Sequence, residues 1–273
     1  MTSPTIAFIG AGNMAQAMIG GMIANGIAPA AIRAADPFAG SREAVQKQFG
    51  IHASEDNRAV IEGADVVILA VKPQQMQALC IDIRDSLLAQ QPLLISIAAG
   101  IRCAMLESWL DNSLAIVRCM PNTPALVQKA ASALYANPQV STGQRQLAGE
   151  LVSSFGSVDW VADERLMDAV TALSGSGPAY FFLVMQAMME AGEALGLAPE
   201  VARNLTLQTA LGAADMASTA DVDVAELRRR VTSPGGTTEA AIACFEQGGL
   251  RELFLQALNA ADARSKTLAE QMQ

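Results

Sequence analysis

The stretch "IAFIGAGNMAQAMIGGMI" at residues 6–23 decides how the rest of the sequence is read. Eighteen mostly apolar residues in a row invite comparison with a signal segment or a membrane span. Against that, no basic run precedes it, Asn13 and Gln16 interrupt it, and glycines recur through it. A strand, a glycine turn and a helix account for it better. "TIAFIG" at 5–10 is a short run of β-formers. A helical pattern through Met14, Met18 and Met22 follows and closes near Gly26. Between them lies "GAGNMA" at 10–15. In that context Gly10 makes a tight turn, Gly12 lets a pyrophosphate approach the backbone, and Ala15 lets helix pack on strand. The helix start offers free N–H groups and a positive dipole end, so Gly10, Ala11, Gly12, Asn13 and Met14 are candidate dinucleotide contacts. The plainer alternative is a glycine turn that serves packing alone.

Working outward, the same rhythm repeats. "AIRAAD" (31–36) reads as a second strand and "SREAVQKQFG" (41–50) as a short helix ending at a glycine. "ADVVILAV" (64–71), "QPLLISIAAG" (91–100) and "SLAIVRCM" (113–120) read as buried strands, with "ASALYAN" (131–137) and "SVDWVA" (157–162) as weaker ones. Strands alternating with helices predict a mainly parallel sheet covered on both faces, an α/β Rossmann-type domain over residues 1–162. From Asp163, a plausible helix cap, the sequence is helical in period to the end. A second, all-α domain is expected over residues 163–273.

The composition narrows the function. Among 273 residues 51% are hydrophobic and 16% charged, which excludes a largely disordered chain. A net charge of −9 without a basic run argues against nucleic acid as partner. A single histidine, His52, and four cysteines with no CxxC pair argue against a metal centre. All four thiols are expected buried, and His52 is expected in a loop. No other apolar run is long enough to cross a bilayer, so a soluble, cytoplasmic protein is expected.

Residues at strand C-termini line the cofactor crevice of open α/β sheets. Asp36 sits where an acid bonds ribose hydroxyls and favours NAD. It reads equally as a turn aspartate before Pro37, with Arg33, Ser41 and Arg42 nearby. Lys72 in "AVKP" (70–73) touches ribose or is a solvated loop lysine. "SIAAG" (96–100) would let a nicotinamide lie flat, and "MPNTPAL" (120–126) stiffens the same rim. Late in the chain, "VTSPGGTTEAAI" (231–242) interrupts the helical texture with glycines and hydroxyls. Ser233 is read as the cap of a helix beginning at Pro234, leaving the N–H groups of Gly235, Gly236 and Thr237 free to hold a carboxylate. Glu239 is expected to point away. The alternative is a helix start with glycines for packing.

Taken in order, "FIGAGNMA", "AVKP", "SIAAG", "RCMPNTPA" (118–125), "DAVTALSGSGPAYFF" (168–182) and "VTSPGGTTEAA" resemble the pyrroline-5-carboxylate reductase family over nearly the whole chain. The resemblance implies a helical C-terminal domain that interlocks in dimers, and higher homo-oligomers built from them. It implies reduction of 1-pyrroline-5-carboxylate to L-proline with NADPH or NADH, usually NADPH. It implies Thr238 as the catalytic hydroxyl near the ring nitrogen. Beside the glycine turn, the candidate cofactor residues are then Ala35, Asp36, Asn57, Ala70, Val71, Lys72, Pro73, Ala98 and Ala99. The candidate substrate residues are Glu164, Ser174, Ser176, Gly177, Val231, Ser233, Gly235, Gly236, Thr237 and Thr238. Glu164 reads alternatively as a first-turn acid, and Tyr180, Phe181 and Phe182 as core. A protonated imine needs no covalent catalyst, which suits a chain with one histidine. Two rivals remain: a β-hydroxyacid dehydrogenase, weak because Lys266 is the second half's one lysine, and a dinucleotide sensor without turnover.

Overall fold

The computed structural model describes residues 4–272. The chain forms two compact units. The first runs to Ser176 and resumes at Ala261, and the second is Gly177–Ala260. The expected division at residue 162 follows the change of sequence texture, whereas the compact units part later. Residues beyond the last strand still belong to the first unit, where Glu164 and Asp168 are both hydrogen-bonded.

In the first unit the chain alternates β1 (Ile6–Ile9), α1 (Asn13–Ala24), β2 (Ile32–Ala35), α2 (Ala39–Phe49), β3 (His52–Ser54), α3 (Asn57–Ile61) and β4 (Val66–Leu69). It continues with α4 (Pro73–Gln90), β5 (Leu93–Ser96), α5 (Cys103–Trp109), β6 (Ile116–Met120), β7 (Ala130–Ala136), α6 (Thr142–Ser153), β8 (Gly156–Trp160) and α7 (Leu166–Val170). The sheet order is β3-β2-β1-β4-β5-β6-β7-β8. The first six strands are parallel. β7 runs antiparallel to β6, with β8 parallel to β7. The strand sequence moves outward from β1 to β3, then returns to place β4 on β1's other side. The C-terminal ends of β1 and β4 are therefore the topological switch point, where α/β sheets bind ligands.

Burial explains why β1 shows no polar alternation. Ile6 and Phe8 enter one core with Met18 and Met22 of α1, while Ala7 and Ile9 enter a second with Val60 of α3 and Met76 of α4. Both faces are covered, so both must be apolar. β3 was not expected. His52 is its first residue and lies exposed on the edge strand, not in a loop, because three residues are too few to show a period.

The second unit holds α8 (Gly177–Ala194), α9 (Pro199–Thr219), α10 (Val224–Arg230), α11 (Thr237–Gln247) and the start of α12 (Leu250–Glu270). A Cβ on Gly192 would lie 3.3 Å from that of Ala202, so α8 and α9 pack closely. Within this unit Ala202 is the sole buried hydrophobic among the described residues. Phe181 and Phe182 are 68% and 63% exposed, against the expectation that they are core. Helical period predicts which face is apolar, not that the same chain covers it. Cys244 is exposed for the same reason, while Cys80, Cys103 and Cys119 are buried as expected. No described helix is long and apolar enough to cross a membrane.

Helix α1 is seated by a close approach. A Cβ on Gly21 would come 2.7 Å from the Phe155 Cβ and 2.9 Å from the Ser154 carbonyl oxygen. The Asn25 amide ties the helix end to the same turn, donating to the carbonyls of Gly21 and Ser154 at 3.0 and 2.8 Å. Gly21→Ala would gain about 1 kcal/mol of helix propensity. Overpacking against backbone costs about 1–3 kcal/mol, so the clash wins. We expect a lower urea midpoint with an unchanged m-value; a raised midpoint would show that the turn yields.

Candidate active site

The glycine turn lies at the switch point. Gly10 takes φ +103°, a left-handed value that favours glycine, and its N–H donates to the Ala35 carbonyl at 2.7 Å. A Cβ there would sit 2.6 Å from the Ala70 carbonyl oxygen. β1, β2 and β4 thus converge on one atom's worth of missing side chain. Gly12 is the N-cap of α1, without a side-chain cap, and nothing lies within 4 Å of the position its Cβ would take. No acidic residue stands in the helix's first turn. The first-turn N–H groups beside Asn13 and Met14 have no acceptor within the helix. An open cradle of backbone donors at a positive dipole end fits a dinucleotide pyrophosphate.

The other candidate cofactor residues follow from the strand ends. Ala35 closes β2, Ala70 and Val71 follow β4, Lys72 caps α4 with Pro73 as its first residue, and Ala98 and Ala99 follow β5. Asn57 opens α3, behind its cap Asp56. Asp36 is 8% exposed and both its carboxylate oxygens are engaged. Oδ2 accepts the Ala11 N–H and Oδ1 the Phe38 N–H, each at 2.9 Å. The turn role and a clamp on the glycine loop are thus both visible.

A cavity of about 330 Å³ opens beside these loops within the first unit. Pro73, Ala99 and Ser176 line it, together with Thr171, Arg264 and Ser265. Its wall includes a π-helical turn over Thr171–Gly175, where the Ser176 N–H reaches back to the Thr171 carbonyl at 2.9 Å. The segment "SGSGP" (174–178) is thus accommodated as a wider turn rather than a kink. The Asn122 amide holds it, donating to the Ser174 carbonyl at 3.1 Å.

Glu164 commits one carboxylate oxygen within the first unit. Its Oε1 accepts the Cys103 N–H at 2.6 Å and the Arg118 Nη1–H at 2.9 Å. Burial, then the Glu164 charge, pushes the Cys103 thiol well above its ordinary value. Burial alone pushes Cys80 and Cys119 up to about 12, so none of the three is a thiolate at neutral pH. The reading of sequence missed Arg118. The available signal was a cation inside an apolar strand, a placement that requires a partner. It also missed the 2.7 Å bond from Ser265 Oγ to Asp168, which joins the end of α12 to α7.

The loop before α11 differs from its expected geometry. The helix begins at Thr237 with Gly236 as N-cap, not at Pro234 behind Ser233. Ser233 instead opens a turn: its carbonyl accepts the Gly236 N–H at 3.0 Å, and Gly235 takes φ +69°. Nor is the Gly235 N–H free. It donates to Glu239 at 2.7 Å, so Glu239 turns back to the loop rather than away. Glu239, the third residue of the helix, reaches past the N-cap to the N–H of the residue before it, and that local gain outweighed the expected vacancy. Thr238 is half-buried on the first turn of α11, while Val231 is exposed at the end of α10. Thr237 and Thr238 keep N–H groups that the helix itself cannot satisfy.

Comparison with known proteins now settles the family. Residues 164–268 match the model for pyrroline-5-carboxylate reductase dimerisation. Over 272 residues the chain is 57% identical to a pyrroline-5-carboxylate reductase of Pseudomonas aeruginosa, covering 100% of this chain and 99% of that one. The chain belongs to the pyrroline-5-carboxylate reductase family. Residues 5–100 also match the model described as NADP oxidoreductase coenzyme F420-dependent. A solved pyrroline-5-carboxylate reductase from Coxiella burnetii superposes with a TM-score of 0.95 at 46% identity, over 98% of this chain and 99% of that one. The Plasmodium falciparum enzyme, solved with NADP bound, gives 0.87 at 29% identity, over 98% and 99%. The dimerisation match falls on the helices whose apolar faces stand exposed in the single chain, which therefore self-associate in this family.

Glu164 separates a structural role from a substrate role. Removing one partner of a buried pair costs about 3 kcal/mol. Glu164→Gln should lower the denaturation midpoint accordingly, and adding Arg118→Met should recover part of the loss. A raised KM for substrate at unchanged stability would instead return Glu164 to the substrate site.

Proposed function

We propose that the protein reduces 1-pyrroline-5-carboxylate to L-proline with NAD(P)H, preferring NADPH, as the last step of proline biosynthesis. The observation that carries this is the full-length match to the Pseudomonas aeruginosa reductase, with every loop named above present. The one histidine stands at the start of edge strand β3, whereas cofactors bind at strand C-termini.

Bound NAD(P)H supplies the hydride. In this chain Gly12, Asn13 and Met14 offer the backbone donors that hold the pyrophosphate, while Gly10 and Ala11, whose N–H groups bond Ala35 and Asp36, shape the turn beneath it. Ala35, Asp36, Asn57, Ala70, Val71, Lys72 and Pro73 border the ribose, and Ala98 and Ala99 leave room for a flat ring. The substrate is a cyclic imine bearing a carboxylate, and its protonated C=N carbon is already electrophilic. The reduction adds one hydride at that carbon while the proton stays on nitrogen, giving the secondary amine. The chain's tasks are then to hold the carboxylate and orient the nitrogen. The N–H groups of Thr237 and Thr238, with Ser233, Gly235, Gly236 and Val231 around them, provide the first. The Thr238 hydroxyl provides the second and passes to the neutral imine the proton that the reduction then leaves on nitrogen. Ser174, Ser176 and Gly177 supply backbone that a small ligand can approach closely. Glu164 supports this region through Arg118 rather than by touching substrate. Dimers formed through the helical unit are proposed to assemble into higher homo-oligomers. Unpaired Cys80, Cys103 and Cys119 suit the reducing cytoplasm.

Steady-state oxidation of NADPH and NADH with 1-pyrroline-5-carboxylate tests the reading, L-proline being the expected product. Thr238→Ala should lower kcat by about 10²-fold, the range of a lost acid–base group, with dinucleotide affinity unchanged. Equal loss of both would make the residue structural. No turnover by folded, dinucleotide-binding protein would sink the assignment.

A further inference from the structure

The sequence set two arginines beside the end of β2, and the structure separates them. Arg33 turns its Nη2 to the Glu62 carbonyl at 2.8 Å. Arg42, in the first turns of α2, donates from Nη1 to the carbonyls of Asp36 and Pro37 at 2.8 and 2.9 Å. Two carbonyls of the β2–α2 turn thus hold the guanidinium by one nitrogen. The carboxylate facing its Nη2 is that of Glu55, at 3.7 Å, beyond hydrogen-bond length. The Arg42 side chain is 20% exposed and that of Glu55 is 78% exposed. One edge of a pinned guanidinium is therefore turned to an anion that is itself loose in solvent.

Asp36 completes the contrast. An acid that reads the ribose diol presents free carboxylate oxygens to it. Here each oxygen already accepts a backbone N–H, from Ala11 and from Phe38, in a largely buried residue. The end of β2 thus has its acid turned inward and a cation held at its rim.

We propose that Arg42 selects a dinucleotide bearing a 2′-phosphate, which displaces Glu55 from the guanidinium. This rests on the reading of the glycine turn as a dinucleotide site. A 2′-phosphate brings more than one negative charge and several acceptor oxygens. Arginine meets such a group with paired donors, and here the fork is already oriented, so little side-chain freedom is lost on binding. Glu55 sets the contrast between cofactors, since a dinucleotide with a bare 2′-hydroxyl gains nothing by displacing it.

The test uses fragments, 2′,5′-ADP and 5′-AMP, titrated by calorimetry into the full-length protein. The protein should bind 2′,5′-ADP at least about tenfold more tightly, the scale of a hydrogen bond to a charged group. Arg42→Ala should reduce that ratio to within about twofold through loss of 2′,5′-ADP affinity alone, and Arg42→Lys should keep part of it. Glu55→Gln, an exposed change that leaves Arg42 in place, should tighten 2′,5′-ADP severalfold and leave 5′-AMP unmoved. An unchanged ratio in Arg42→Ala, or no gain in Glu55→Gln, overturns the proposal. Should Arg42→Ala unfold, Glu55→Gln still decides it. Wild-type turnover of 1-pyrroline-5-carboxylate is measured beside these titrations, so failure of the reductase reading would be seen separately from failure of Arg42.

Discussion

The architecture of the first unit turns on the space left by one absent side chain. At Gly10 three strands meet: its N–H donates to the carbonyl of Ala35 at the end of β2, and the Ala70 carbonyl after β4 occupies the place a Cβ would take. Any larger residue would push β4 from β1 or refuse the left-handed backbone. With the turn closed, Gly12 and the start of α1 face outward with unsatisfied donors. Gly21 and Asn25 fix the other end of that helix against Ser154 and Phe155. Binding geometry and packing are therefore one arrangement seen from two ends of α1.

Charge is handled inside this unit by pairing rather than exposure. Arg118 lies on a buried strand and is matched by Glu164. Asp168 receives Ser265, with Arg102 at 3.9 Å. Such groups cost several kcal/mol if left single and contribute modest net stability when paired. Their value is placement. Cys103, Glu164 and Asp168 link α5, α7 and the end of α12 into the wall that carries the π turn.

The sequence made much of this legible. Parallel strands buried on both faces, the glycine fingerprint and the helical second half are period and composition effects, which act locally. Residues that meet over long separations were not legible: Arg118 with Glu164, or Ser265 with Asp168, have no signature at a fixed spacing. β3 was too short to carry a period. The loop before α11 failed differently. Its residues were singled out, but Ser233 and Gly236 compete for the capping role, and Glu239 settles the matter by closing on Gly235. Exposed Phe181 and Phe182 show a third limit, since an apolar face does not announce whose surface will cover it.

Helix α12 starts in the second unit, yet its later half belongs to the first, with Ala269 against Gly100 and Ser265 bonded to Asp168. The nucleotide-binding unit is thus discontinuous in the chain. Domains often complete themselves in order during synthesis. This one cannot, because residues 261–272 are made only after the whole helical unit. The sheet can form on the ribosome, but its wall stays open until residues 261–272 have emerged. A nascent chain stalled anywhere in the helical half would carry an unfinished Rossmann unit, with apolar residues around Gly100 and Ile101 still waiting for cover.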